Sequence, residues 1–220
     1  GWIRHEVGRY LHMRTLPEIR FFPDDTLDKV YHLEEVFEEI HAEQHQQPML
    51  ALTPTEAVDA LKGAGRCFIA SHENPDGDAI GSMLALRLLL QRLGVAEITC
   101  ALQDEVPGMY KELPGAPAIV NGGANIPEYD LAVLVDCGRL ARLGEIADLV
   151  LPGRRLLIFD HHAEPGEAGA SGIVDARYAA TGEVIAELFH AAQLPFTLDA
   201  AACLYAAIAS DTGCFRFSNT

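Results

Sequence analysis

The chain has 220 residues, of which 49% are apolar, and carries 32 Asp and Glu against 16 Lys and Arg, a formal charge of −16. That length and apolar share suit a soluble globular protein with room for a sizeable core, and no run of about 18 uninterrupted apolar residues offers a membrane span. The acidic balance excludes wrapping a long nucleic acid, because duplex binding depends on Lys and Arg displacing counterions from phosphates, but a short nucleotide stays admissible because bound cations invert the sign of an acidic site. Cysteines stand at 67, 100, 137, 203 and 214. Their odd number, scatter and lack of any C-x-x-C pair point to buried thiols in a reducing, cytoplasmic setting rather than a disulfide framework or zinc knuckle. No secretory signal is visible, although the chain opens on Gly1, so that an upstream address could have been lost.

Residues 1–48 differ in texture from the rest, with five Lys and Arg, ten Asp and Glu and five of the nine histidines. One dense helix is expected from Leu27 to about Gln44, with Leu27, Val30, Leu33, Phe37 and Ile40 on one face and Asp24 and Asp25 placed to cap it. His45-Gln46-Gln47-Pro48 reads as a linker, with a boundary near 46–52. Thr53-Pro54-Thr55-Glu56 then starts a helix with a capping box and Pro at its first position. From there strand and helix alternate. Apolar runs at 66–70, 97–102, 131–135 and 155–159 are expected as buried strands, and 78–93, 139–150, 181–193 and 198–210 as helices. This pattern predicts an α/β fold, a parallel sheet with helices on both faces. Ligands of such sheets bind beyond the carboxyl ends of the strands.

That rule gathers scattered polar residues. The first strand leads into Ser71-His72-Glu73-Asn74-Pro75-Asp76-Gly77-Asp78-Ala79-Ile80-Gly81-Ser82, the third into Asp136 and the fourth into Asp160-His161-His162. Pro75 and Gly77 would shape a turn, but a turn has no need of the His or the second Asp. The segment is not a calcium loop, because Ile80 and Arg87 stand where oxygen ligands belong, nor a phosphate loop, because no Gly-Lys-Ser/Thr follows. Asp136 alone would equally cap a helix, and Asp211 in Ser210-Asp211-Thr212-Gly213 would equally serve a turn. Cys137 reads as a small packed residue. Taken together, His72, Asp76, Asp78, Asp136, His161 and Asp211 supply the carboxylates and imidazoles that a divalent ion acting on phosphate requires. Six ligands exceed what one ion with an open position uses, so two ions are expected. Asp136 would bridge them at a separation of about 3.5–4 Å, with His72 and Asp76 serving one ion and Asp78 the other. The oxygen-rich set without Cys favours Mn²⁺ over Zn²⁺, with Mg²⁺ or Co²⁺ as substitutes.

Ser71 to Ser82, Val135-Asp136, Asp160-His161-His162 and Ser210-Asp211-Thr212-Gly213 resemble, in order, the four motifs of the DHH phosphoesterases. The segment Phe215-Arg216-Phe217-Ser218-Asn219-Thr220 looks like the last motif of the bacterial nanoRNase and phosphoadenosine-phosphate phosphatase group. The resemblance covers 53–220 and implies a DHH phosphoesterase N-terminal domain hydrolysing short oligoribonucleotides or 3′-phosphoadenosine-5′-phosphate. Water activated between the ions would attack phosphorus in line. The catalytic residues would be His162, Asp160 and Asp136, with His162 facing the substrate phosphate and Asp160 orienting an imidazole; His162, Arg216, Ser218 and Asn219 would contact substrate. Relatives of this kind continue into a smaller C-terminal substrate-binding domain, which a chain ending at Thr220 is expected to lack.

Tyr10 to Thr26 is similar to the C-terminal half of ribosome-binding factor A, a KH-like domain; the match spans roughly Gly1 to Glu43 and, with the linker to residue 48, implies a short α+β segment at 1–48 with a strand, Glu18 to Phe22, between two helices. This implies contact with the small ribosomal subunit. The alternatives are therefore a cyclic-dinucleotide phosphodiesterase or pyrophosphatase built on the same core, or a ribosome-assembly RNA-binding factor carrying a passenger phosphoesterase domain. No membrane partner is expected, and the sequence leaves oligomeric state open.

Overall fold

The computed structural model describes residues 48–122 and 126–220; the ribosome-binding factor A-like reading of 1–48, with its helix from Leu27, lies outside them except for Pro48. The described strands are β1 (Leu50–Ala51), β2 (Arg66–Ala70), β3 (Glu97–Leu102), β4 (Val120–Asn121), β5 (Leu131–Val135), β6 (Arg155–Asp160) and β7 (Ser171–Val174). The α-helices are α1 (Pro54–Lys62), α2 (Gly77–Leu93), α3 (Thr181–Ala191) and α4 (Leu198–Asp211). The strands form one sheet in the order β1-β7-β6-β5-β2-β3-β4, and every pairing is parallel.

The long apolar runs form the centre of this sheet because both of their faces are covered: all five residues of β5, Leu-Ala-Val-Leu-Val, are buried. Ile69, Leu102, Val133 and Phe159 point into a core shared with the four α-helices. Phe68, Ala70, Leu134 and Ile158 point to the opposite face, where they meet Leu143 and Ile146. The covers of the two faces therefore differ in kind. The expected helix over 139–150 is a run of 3-10 turns, Leu140–Leu149, broken at Gly144 with φ 63°, a backbone conformation that glycine adopts without a steric penalty. The short strands β7 and, at the two edges, β1 and β4 were not expected from the sequence.

Two features of the fold position the site. First, the chain leaves β2 toward β3 on one side and leaves β5 toward β6 on the other, so the gap between β2 and β5 is the switch point where open α/β sheets bind ligands. Registers Ala70↔Leu134 and Val135↔Phe159, continued past the strand ends, set His72, Asp136 and Asp160 level with one another. Second, α2 is buried almost all round, between the sheet and α4, and each fully buried Leu or Ile on it contributes about 1.5–3 kcal/mol. The approach of α4 depends on Gly81. A Cβ there would stand 2.5 Å from the Cys203 carbonyl oxygen and 2.8 Å from the Ala207 nitrogen.

Gly81→Ala should therefore lower stability in urea unfolding by about 1–3 kcal/mol through overpacking, against the helix-propensity gain of a Gly-to-Ala change. Gly108→Ala, with no atom within 4 Å of the added carbon, should change it by less than about 0.5 kcal/mol.

Candidate metal centre

The turn after β2 is held at several points. Ser71 is buried, and its hydroxyl donates to the Val135 carbonyl at 2.7 Å, tying the ends of β2 and β5 together. The left-handed residue of the turn is Asn74, φ 53°, rather than Gly77, and its amide donates to Asp104 Oδ2 at 2.7 Å. Gly77 is instead the first residue of α2, and its missing side chain leaves room for Ser210 and the Tyr110 hydroxyl, each 2.6 Å from where a Cβ would stand. Asp76 caps α2. Its Oδ1 accepts from the amides of Asp78 (3.0 Å) and Ala79 (3.1 Å), leaving Oδ2 outside the cap.

Asp136 adopts φ 54° at the end of β5, a conformation uncommon for any residue but glycine and characteristic of functional sites. It turns the carboxylate into the β2–β5 gap while the amide still donates to the Phe159 carbonyl at 2.9 Å. His72 Nδ1 donates to the Glu73 carbonyl at 2.8 Å, and its Nε2 donates to Asp136 Oδ2 at 3.3 Å. Asp78 is fully buried. Its Oδ1 accepts from Ser82 Oγ (2.9 Å) and the Gly182 amide (2.9 Å), and its Oδ2 from the Thr181 amide (2.6 Å). The carboxylate thus caps α3 from outside, where Ala180 offers no side-chain cap. The Thr181 hydroxyl donates to Asp136 Oδ1 at 3.0 Å, so the start of α3 grips two carboxylates at once.

The end of β6 divides its labour. Asp160 is buried, and its Oδ1 accepts from the His162 amide at 3.1 Å and pairs with His162 Nδ1 at 2.7 Å. His162 Nδ1 also lies 3.7 Å from Asp136 Oδ1, with the ring half-exposed. His161 Nε2 lies 3.8 Å from Asp78, 3.7 Å from Asp136 and 3.4 Å from Asp211, and this buried nitrogen has no hydrogen-bond partner among the described residues. Asp211 comes from the last residue of α4 rather than from a turn.

All six expected ligands converge. His72, Asp76 and Asp136 form one group and Asp78, His161 and Asp211 another, while Asp136, His161 and His162 make a third; in each group the potential ligand atoms lie within 4.8 Å of one another. Asp136 belongs to the first and third groups, and its Oδ1 also reaches His161. The electrostatics call for a cation. Burial and the Asp136 charge push Asp78 up to about 8 even with three donors on it, and burial raises Asp211. Burial pulls Asp136 upward too, but the His72 hydrogen bond and the charges of His72 and His162 hold it below the usual range. The Asp160 hydrogen bond raises His162 to about 9. An unpaired buried imidazole nitrogen among three carboxylates is costly as it stands and is what a divalent ion satisfies. The oxygen and imidazole donors fit such an ion without thiolate.

The other residues singled out in the sequence fall differently. Burial raises the Cys137 thiol to about 11, in keeping with a packed residue, and Cys67, Cys100 and Cys203 are buried too while Cys214 is exposed. Asn219 spends its side-chain nitrogen on the Ala179 and Asp211 carbonyls (3.0 and 3.3 Å), which ties the tail to a ligand segment; Arg216 and Ser218 are exposed. Thr181, Gly182, Ser82 and Asp104 escaped sequence reasoning. The one available signal was a helix beginning at Thr181-Gly182 with Ala in the capping position.

The model of the DHH family, N-terminal domain, matches residues 66–208. The chain is 31% identical over 166 residues to the bifunctional oligoribonuclease and PAP phosphatase NrnA of Thermus thermophilus, covering 75% of this chain and 48% of that protein. It is 28% identical over 169 residues to the protein of the same name in Mycoplasma pneumoniae, covering 75% and 52%. Among solved structures, an exopolyphosphatase-related protein from Bacteroides fragilis superposes with a TM-score of 0.68 at 25% identity, covering 76% of this chain and 52% of that one. The chain thus spans about half the length of the curated relatives it matches.

A divalent ion at 100 times its dissociation constant should stabilise the protein by about 2.7 kcal/mol, a rise in melting temperature of about 5–10 °C for a chain of this size. Thr181→Val, which removes the hydroxyl held by Asp136, should weaken divalent-ion binding about 10- to 100-fold in a calorimetric titration.

Proposed function

The chain belongs to the DHH family, and we propose that it is a metal-dependent phosphoesterase hydrolysing short oligoribonucleotides and 3′-phosphoadenosine-5′-phosphate, with two Mn²⁺ ions in its centre. The observation that carries this reading is the buried, unpaired His161 Nε2 among the carboxylates of Asp78, Asp136 and Asp211. The names of the NrnA relatives support the substrate class.

His72 and Asp76 would hold one ion, Asp78, His161 and Asp211 the other, and Asp136 would be shared between them. Bound divalent ions supply Lewis-acid charge to the phosphate oxygens and make water a nucleophile near neutral pH. The remaining work falls to side chains already in place. The Thr181 and Gly182 amides and the Ser82 hydroxyl fix Asp78, so its oxygens need no rearrangement on binding. Asp160 holds His162 by Nδ1 and favours the protonated ring, which leaves the Nε2 proton for the substrate. As the oxygen of water bonds to phosphorus and gives up a proton to solvent, the bond to the leaving oxygen breaks; that oxygen departs with the electron pair and takes the proton from His162 Nε2, which solvent then restores. Asp160 is a positioning residue in this scheme, and His162 the proton donor.

Dinucleotide pApA, pAp, cyclic di-AMP and pyrophosphate assayed side by side with Mn²⁺ should show turnover of the first two. Turnover confined to pyrophosphate would overturn the nucleotide reading in favour of a phosphatase of inorganic phosphoanhydrides, the chemistry suggested by the exopolyphosphatase-related neighbour. Asp136→Ala should lower kcat about 10³-fold or more, and undiminished turnover would sink the two-metal scheme. Asp160→Asn should lower kcat about 10²- to 10⁴-fold, the usual worth of general acid catalysis, while the Mn²⁺-induced thermal shift remains.

A further inference from the structure

Beside the carboxylate cluster, the carboxyl edge of the sheet opens into a cavity of about 700 Å³, lined among others by Met49, Arg139, His162, Pro165 and Val174. Its size falls in the range of small-molecule sites, roughly 300–1,000 Å³. The greater part of its wall is small or apolar. Met49 packs into the space left by Gly166, whose absent Cβ would stand 2.2 Å from the sulfur, and Pro165 and Val174 complete a surface suited to a flat ring, with a thioether that favours aromatic contact.

The charges on this wall are unusual for so acidic a chain. Asp175 also lines the cavity, but its carboxylate is engaged by Arg177 Nε at 3.0 and 2.9 Å. Glu167, in the neighbouring loop, accepts the Leu140 amide at 3.0 Å, and Glu164, which also lines the cavity, is exposed to solvent. Arg139, half-buried on the cavity wall, pairs with no carboxylate among the described residues. A guanidinium in that setting is a ready partner for phosphate, which it can grip with two parallel hydrogen bonds.

The chemistry of the two activities narrows the ligand. In a 5′-phosphorylated dinucleotide and in 3′-phosphoadenosine-5′-phosphate alike, the group leaving phosphorus through its 3′-oxygen is a nucleoside 5′-monophosphate. One subsite next to the proton donor therefore serves both substrates, and His162 stands on the wall of this cavity. Resting on the phosphoesterase reading above, we infer that the cavity binds the departing nucleoside 5′-monophosphate, its base against Met49 and Pro165 and its 5′-phosphate on Arg139. Arg139 is then a specificity-determining residue that makes one centre serve both reactions.

Calorimetric titration of adenosine 5′-monophosphate and of adenosine into the Mn²⁺-loaded full chain tests this. The monophosphate should bind at least about tenfold tighter than adenosine, as a charge-assisted contact provides, and Arg139→Ala should remove that preference while leaving adenosine binding unchanged. Ala168→Trp, which fills the cavity from its wall, should weaken both ligands at least about tenfold with the Mn²⁺ thermal shift retained; if this variant does not fold, the Arg139→Ala comparison decides alone. A preference that survives Arg139→Ala would mean that the metals hold the phosphate, and would overturn the inference, as would failure of the wild type to bind the monophosphate. Dinucleotide hydrolysis by the same preparation reads the parent proposal separately. Turnover without monophosphate binding overturns the subsite alone, and monophosphate binding without turnover overturns the catalytic reading alone.

Discussion

The structure is organised around negative charge buried where three strands end. Asp78, Asp136 and Asp160 are all but inaccessible, and each carries an electrostatic cost that water would otherwise absorb. The fold meets that cost with local donors before any ion arrives. The first amides of α3 and the Ser82 hydroxyl satisfy Asp78, Thr181 and His72 satisfy Asp136, and the His162 ring and amide satisfy Asp160. His161 is the exception, and its unpaired nitrogen marks where positive charge belongs. A site preorganised in this way holds its ligands in orientation without spending binding energy on rearrangement.

Helix packing extends the same logic to residues far apart in the chain. Asp211 joins Asp78 because α4 lies against α2 without side chains between them at Gly77 and Gly81, and against α3 at Gly182, whose added Cβ would stand 2.6 Å from that of Ala207. Gly77, which reads as turn material in Asp76-Gly77-Asp78, is a helical contact like Gly81, each suited to its place by the space it vacates. The left-handed conformations fall instead on Asn74 and Asp136, residue types whose short polar side chains tolerate them.

Chemistry written in compact motifs was legible from the residues alone. The runs 66–70, 97–102 and 131–135 form strands over those same limits, because a strand covered on both faces must be apolar along its whole length. All six proposed ligands lie directly past strand ends or at helix termini, where the rule for open parallel sheets places them. The short strands β1, β4 and β7 were not legible, since pairs of two to four residues exist through hydrogen bonds to distant partners such as Leu50↔Ser171. Nor was the 3-10 course of 140–149, whose apolar spacing matches an α-helix while Gly144 breaks its backbone.

By itself, then, the sequence determined the alternating α/β architecture, the parallel sheet and which His and Asp residues stand past its strand ends, because burial periodicity and the order of residues along the chain are local properties. Tertiary structure alone decided which carboxylates share an imidazole, that Thr181 and Gly182 hold Asp78, that Asp160 serves His162, and that Arg139 faces a cavity beside them. Those outcomes depend on distances of about 3 Å between residues 2 to 104 positions apart, set by strand register and by the close approach of α2, α3 and α4.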